Sequence, residues 1–160
     1  MLTEICQYLK NWFNRKPDGS DYPKETGTFT IENGELNTEI LANGQYFRIL
    51  GSLFNDGVHR YGVDNSGQQP KQFDTLTDET FTGSIWSMGV PAEVEALAED
   101  VAAWVEKYGG IDSPAMSPYE SESFGGYSYK KQQGYASTGG GMLTSWNIQF
   151  ADRLAPWRKI

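Results

Sequence analysis

Apolar positions at the start of the chain recur at helical spacing. Leu2, Ile5, Cys6, Leu9, Trp12 and Phe13 make one stripe and predict a helix over 2–13. Residues 14–26 (NRKPDGSDYPKET) interrupt it with two prolines and a glycine, which reads as a linker or long loop. The pattern then alternates. Residues 28–32 predict a strand, Asn33-Gly34 a tight hairpin turn, and 36–40 the return strand. Residues 45–50 predict a third strand, Asn55-Asp56-Gly57 another turn into 58–61, and 80–88 a last strand after a glycine- and glutamine-rich loop at 62–72. Short strands at turn spacing point to a small antiparallel sheet or barrel over 27–88, whose edges need cover or closure.

The helical period returns at Pro91, which suits a first helical position. Val94, Leu97, Ala98, Val101, Trp104, Val105 and Tyr108 form the apolar stripe of a helix over 91–108, with Glu93 and Glu95 at its start and Gly109-Gly110 at its end. Its other face carries Glu95, Glu99, Asp100 and Glu106, which reads first as a solvated surface. Residues 111–142 hold little periodicity apart from alternation over 124–129. A stretch this long, rich in glycine and aromatic residues, reads as an arm that binds something or as a loop whose aromatic residues fold back on its own core. Trp146, Phe150, Leu154 and Trp157 predict a final helix over 145–155. Pro156 then forces a kink or an extended tail to Ile160. The fold expected is α+β. Helices near 2–13, 91–108 and 145–155 form a small bundle from residues 1–26 and 89–160, with the arm at 111–142, and 27–88 is an inserted β module.

Composition narrows the function. Thirteen Lys and Arg against 21 Asp and Glu give a net charge of −8. A chain that grips nucleic acid through its phosphates usually has the opposite sign. A single cysteine, Cys6, excludes an internal disulfide, and its place in an apolar stripe reads as a buried hydrophobe. The start has neither the basic head nor the continuous apolar run of a signal peptide, and no window is apolar enough to span a membrane. No phosphate-binding glycine loop, paired-cysteine motif or nucleophile elbow is present, and His59 stands without a metal-ligand neighbour in sequence. Glu120 and Glu122 are the nearest to a carboxylate pair, and spacing alone does not make them one. The expectation is a non-enzymatic protein without catalytic residues, cofactor or metal.

One string carries a resemblance. Ser121-Glu122-Ser123-Phe124-Gly125-Gly126-Tyr127-Ser128-Tyr129 resembles the S-E-S-[IF]-G-[DG]-[YV]-S-[YV] signature of head–tail connector proteins of long-tailed siphophages. In that family the signature follows a helix rich in Ala, Glu and Leu and precedes a short C-terminal helix, as it does here. The likeness covers residues 90–157. Gly126 stands where an acidic residue is commoner, and the β module is additional to the usual helical connector. The chain is also similar to proteins encoded among head genes of phages and prophages of Gram-positive bacteria, in segments 44–49, 54–58 and 79–83 and in the ending LAPWRKI.

The resemblance implies a virion protein at the neck, made in the host cytoplasm. It would be one copy in a ring of about twelve below the portal, a closed heterologous assembly. Its partners would be the portal protein, neighbouring copies of itself, and a stopper or tail-completion protein. DNA would pass without specific binding, and no membrane is involved. The arm, with Tyr119 and Glu120 ahead of the string, would join subunits. Trp157, Arg158, Lys159 and Ile160 would dock on the portal, and Glu95, Glu99, Asp100 and Glu106 would face the channel. Two other readings stay open: another virion part (stopper, tail-completion or head-decoration protein), or a β module binding carbohydrate or peptide through Tyr46, Phe47, Tyr61 and Trp86.

Overall fold

A computed structural model of the chain describes residues 1–67, 69, 71–108, 121–124, 127–130 and 145–159, with the strands at 121–124 and 127–130 described as backbone. The protein is α+β and divides into two compact units. One comprises Met1, 3–10 and 92–160, the other Leu2 and 11–91.

The second unit is built on a five-stranded antiparallel sheet of order β2-β1-β7-β3-β4. Its long strands are β1 (Lys24–Glu32) and β7 (Glu79–Met88), paired from Lys24↔Trp86 to Ile31↔Glu79. On the other side of β7 lies β3 (Tyr46–Leu50), followed by β4 (Gly57–Arg60); β2 (Glu35–Leu36) is the opposite edge. The β1–β2 turn is made by Asn33 at φ 55° and Gly34 at φ 77°, the left-handed pair that the Asn-Gly dipeptide predicts. A side chain at residue 34 would also lie 2.7 Å from Thr75 Cγ2, so only glycine fits this turn.

Alternation sorts the side chains. Phe29, Ile31, Phe47, Ile49, Phe81 and Ile85 point to one face and are buried, joined by Leu36, Leu41 and Leu76. Each such side chain contributes roughly 1.5–3 kcal/mol by leaving water. The opposite face of β1 and β7 is polar, with hydroxyls bonded rung by rung: Thr26 to Ser84 (2.8 Å), Thr28 to Thr82 (3.0 Å) and Thr30 to Thr80 (3.1 Å).

Three sequence expectations shift here. The strand expected at 36–40 is only β2, two residues long. Beyond it the Thr38 hydroxyl takes the N–H of Ile40 (3.4 Å), a local bond that competes with a ladder. The loop at 62–72 holds a second ladder, β5 (Val63–Asp64) with β6 (Lys71–Gln72). Residues 14–22, expected as a linker or long loop, are a loop that turns back on itself. Tyr22 N–H bonds Asn14 O (2.8 Å), Lys16 N–H bonds Ser20 O (2.7 Å), and Arg15 bridges Asp21. The division between units thus falls after Lys10, where the sequence pattern places it after Thr26.

In the first unit α1 (Leu2–Leu9) buries Ile5, Cys6 and Leu9. It stops short of the expected 2–13 because Lys10 turns left-handed (φ 51°), its N–H closing on Cys6 O and Gln7 O. Asn11 Oδ1 then accepts the Phe13 N–H (3.1 Å), and Trp12 and Phe13 keep the helical spacing without the helix. The long helix α2 (Ala92–Tyr108) buries Val94, Leu97, Ala98 and Val101, the inner part of the expected stripe. Strands β8 (Ser121–Phe124) and β9 (Tyr127–Lys130) pair antiparallel with each other, from Ser121↔Lys130 to Phe124↔Tyr127.

The expected helix over 145–155 is instead two short ones, α3 (Trp146–Gln149) and α4 (Ala151–Leu154), broken at Phe150 (φ −108°, ψ 17°). Pro156 lies in a closing 3-10 turn (Ala155–Trp157), where the missing N–H costs little. This segment packs through rings: Trp146 meets Tyr8 edge-on at 5.4 Å, and Phe150 meets Trp104 edge-on at 6.5 Å. Leu154 is its buried anchor.

Candidate functional site

The residues expected to act are placed unevenly. On α2, Glu99 and Glu106 are exposed and Glu95 is half-buried. Asp100 is exposed but committed, taking the Arg153 guanidinium at 2.7 Å. The acidic face is therefore not uniform, because one of its carboxylates is neutralised from α4. At the C-terminus, Lys159 N–H bonds Leu9 O (3.0 Å) and the Arg158 guanidinium sits 5.6 Å from the Tyr8 ring centre, while Trp157 is half-buried. The tail is bound to α1 by its backbone and presents the Arg158 and Lys159 side chains outward. In the arm, Ser121, Glu122, Ser123 and Phe124 lie on β8 and Tyr127, Ser128 and Tyr129 on β9. Tyr119, Glu120, Gly125, Gly126 and Ile160 lie outside the described residues.

The four aromatic residues considered for ligand binding do not form one surface. Phe47 and Tyr61 meet edge to face (6.1 Å) and line a pocket of about 150 Å³. Tyr46 and Trp86 sit on the other face of β3 and β7. The pocket draws Leu36 from edge strand β2 and Arg60 from edge strand β4, so it marks where the sheet's two edges approach. Its polar groups are engaged with one another. Arg60 Nε bonds Gly44 O (3.0 Å) with the guanidinium 4.1 Å from the Phe73 ring centre, and Asp74 accepts the Arg60 N–H.

The most organised polar cluster lies in the β3–β4 connection, residues 51–56. Glu79, first residue of β7, accepts bonds from the Ser52 hydroxyl, Asn55 Nδ2 (2.6 Å) and the N–H groups of Leu53 and Phe54 (both 3.3 Å). The Ser52 hydroxyl foremost, with the other donors, holds the Glu79 carboxyl below the ordinary glutamate range, against a smaller opposing effect of desolvation. Asn55 is buried and locks both ends of its amide on Thr77, accepting from its N–H (2.8 Å) and donating to its carbonyl (2.9 Å). Asp56 accepts the Gly51 N–H (3.0 Å). With its N–H groups turned in to a carboxylate, the loop turns two large apolar side chains out: Leu53 is 80% exposed and Phe54 63%.

Such a loop can present a fixed apolar tip to a partner. The sequence pattern marks the Asn55-Asp56-Gly57 turn and does not mark the tip. The available signal was Leu53-Phe54 itself, an apolar pair set among turn residues.

At the other end of β7, Arg48 lies between two indoles, its guanidinium 3.4 Å from the Trp12 ring centre and 5.5 Å from that of Trp86. Beside it Tyr22, Lys24 and Trp86 line a shallow hollow with Asn14, Asp21 and Ser87.

Among the described residues no group of three His, Cys, Asp or Glu stands ready to hold a metal ion, and no helix is long and apolar enough to cross a membrane. No protein-family model, curated protein or solved structure matches the chain.

Proposed function

We propose that this chain is a structural protein of a tailed-phage virion, a head–tail connector acting as one copy in a ring beneath the portal. The observation that carries the reading is the string at 121–129, which resembles the connector signature. It stands between the long helix α2 and the short C-terminal helices. Its two halves pair as the hairpin β8–β9. A hairpin has two outer strand edges and can extend a neighbour's sheet, the kind of contact that sets register between subunits. On this reading α1, α2 and the C-terminal helices make a bundle at the core of the ring. Arg158 and Lys159 meet the portal, and Glu99 and Glu106 contribute to an acidic wall that does not hold DNA.

The test is copy number in purified particles, by quantitative mass spectrometry against the portal protein. A ratio near one to one is expected. A ratio far above one makes the chain a decoration protein, and absence from the particle ends the virion reading.

A further inference from the structure

We propose that the sheet unit binds a second copy of this chain head to tail. The Leu53–Phe54 tip of one copy would lie against the shallow hollow, about 40 Å³, between Tyr22 and Trp86 of the next.

The tip has the properties of a binding anchor. Its two side chains are the most exposed large hydrophobic residues described, at 80% and 63%. They are not on a slack loop, because Glu79, Asn55 and Asp56 fix the backbone beneath them. Fixing a loop in its binding shape lowers the entropy lost on association.

The hollow lies at the far end of the same strand. Glu79 begins β7 and Trp86 lies seven residues on, roughly 23 Å along an extended strand. Its walls are the half-buried rings of Tyr22 and Trp86. Tyr22 is seated against the backbone of Gly89, where any side chain would come within 2.2 Å of its hydroxyl. Trp86 has the Arg48 guanidinium 5.5 Å from its ring centre.

Charge selects this partner over others. The tip is set among carboxylates, with Asp56 and Glu79 bonded into the loop and Asp78 beside Glu79. Around the hollow Lys24 lines the wall, Lys16 sits 5.7 Å from the Tyr22 ring centre, and Arg48 lies behind Trp86. Asp18, Asp21 and Glu25 are also present, and Arg15 bridges Asp21 at 3.5 Å, so the balance at this end is positive by a single charge. A negative apolar tip and a positive aromatic hollow complement each other. The same carboxylates disfavour insertion of the tip into an anionic lipid surface.

Because the two surfaces differ and sit at opposite ends, the contact is heterologous. It propagates from copy to copy, as a ring or an open chain. It belongs to the sheet unit and does not depend on the connector reading. A chain found at portal ratio in virions but never self-associating through these surfaces would keep that reading and lose this contact.

The test is sedimentation velocity on the full chain and two variants, Leu53→Ser/Phe54→Ser and Lys24→Glu, each verified as folded by circular dichroism. Wild type is expected to associate as concentration rises, and less so in high salt. The tip variant is expected to weaken association by about thirtyfold, the loss of a central anchor. At concentrations where wild type just associates, neither variant alone should form higher species, but an equimolar mixture should give dimers and nothing larger, since one intact tip and one intact hollow remain. A wild type that stays monomeric to about 1 mM, at which only very weak complexes are missed, overturns the proposal. So does association that both variants leave unchanged, or a mixture that behaves like its separate components.

Discussion

A single carboxylate, Glu79, organises a loop that lies more than twenty residues earlier in the chain. Because its folded pKa is depressed, its contribution to stability is fully present above the ordinary glutamate value. It is lost as pH falls through the lowered one. The amide resonances of Leu53 and Phe54 should therefore shift together on acidification, with a midpoint below the roughly 4.3 of a free glutamate. Glu79→Gln should remove that step; a midpoint at or above the ordinary value would contradict the geometry. Asn55 acts beside it in a drier place, 4% exposed and bonded on both ends of its amide. Asn55→Ala leaves Thr77 unpaired on both its backbone groups and should cost about 1–3 kcal/mol in urea denaturation. Neither role was legible in the sequence. A side chain bonded to distant backbone leaves no periodic mark, and Glu79 in the string Glu79-Thr80-Phe81 reads only as a strand start. What was legible is Asn33-Gly34, because the required left-handed φ values restrict residue type directly.

Between elements, β7 packs closely on β3. A Cβ at Gly83 would lie 2.0 Å from Leu50 O, while one at Gly27, the cross-strand partner of Gly83, would meet nothing within 4 Å. The pair makes an internal control. Gly83→Ala should destabilise by about 1–3 kcal/mol or more, since backbone must move. Gly27→Ala should be neutral or stabilise by up to about 1 kcal/mol through the unfolded chain. Equal thermal shifts in both would contradict the register. At this scale the sequence was most readable where pattern and boundary signals coincide: Pro91, the stripe from Val94 and the glycines after Tyr108 bracket α2 to within a residue. It was least readable where the period outlives the element. Trp12 and Phe13 stay in phase with α1, yet Lys10 has already turned the chain and Trp12 serves Arg48 instead. The C-terminal pattern failed likewise, since Trp146, Phe150 and Leu154 are in phase across a break at Phe150.

For the molecule as a whole, a charge of −8 and a pI near 4.6 set what it will not hold. At physiological salt it should give no mobility shift with duplex DNA at protein concentrations of about 100 μM, the range where non-specific binders do bind. Retention would contradict a passive channel wall. On the connector reading, Phe124→Ala and Tyr127→Ala should leave circular dichroism unchanged and abolish attachment to the portal; normal attachment in both would remove the hairpin from that role. The two-unit division was only partly visible beforehand, because residues 14–26 look like a spacer by composition and join the sheet unit through bonds that composition does not encode.

The sheet's order has a consequence in time. Its middle strand, β7, is the last of the five to be synthesised, and both β1 and β3 depend on it for their inner edge. Until residue 88 has left the ribosome, a growing chain carries the β1–β2 and β3–β4 hairpins with nothing between them. Each then has an open edge and a bare apolar face. Rungs such as Thr30–Thr80 close loops of some fifty residues, so closure is a late, slow and collective event. The nascent unit is thus most exposed to mispairing and chaperone capture just before the ten-residue strand β7 arrives, and premature termination anywhere before Glu79 should yield a polypeptide without the five-stranded sheet.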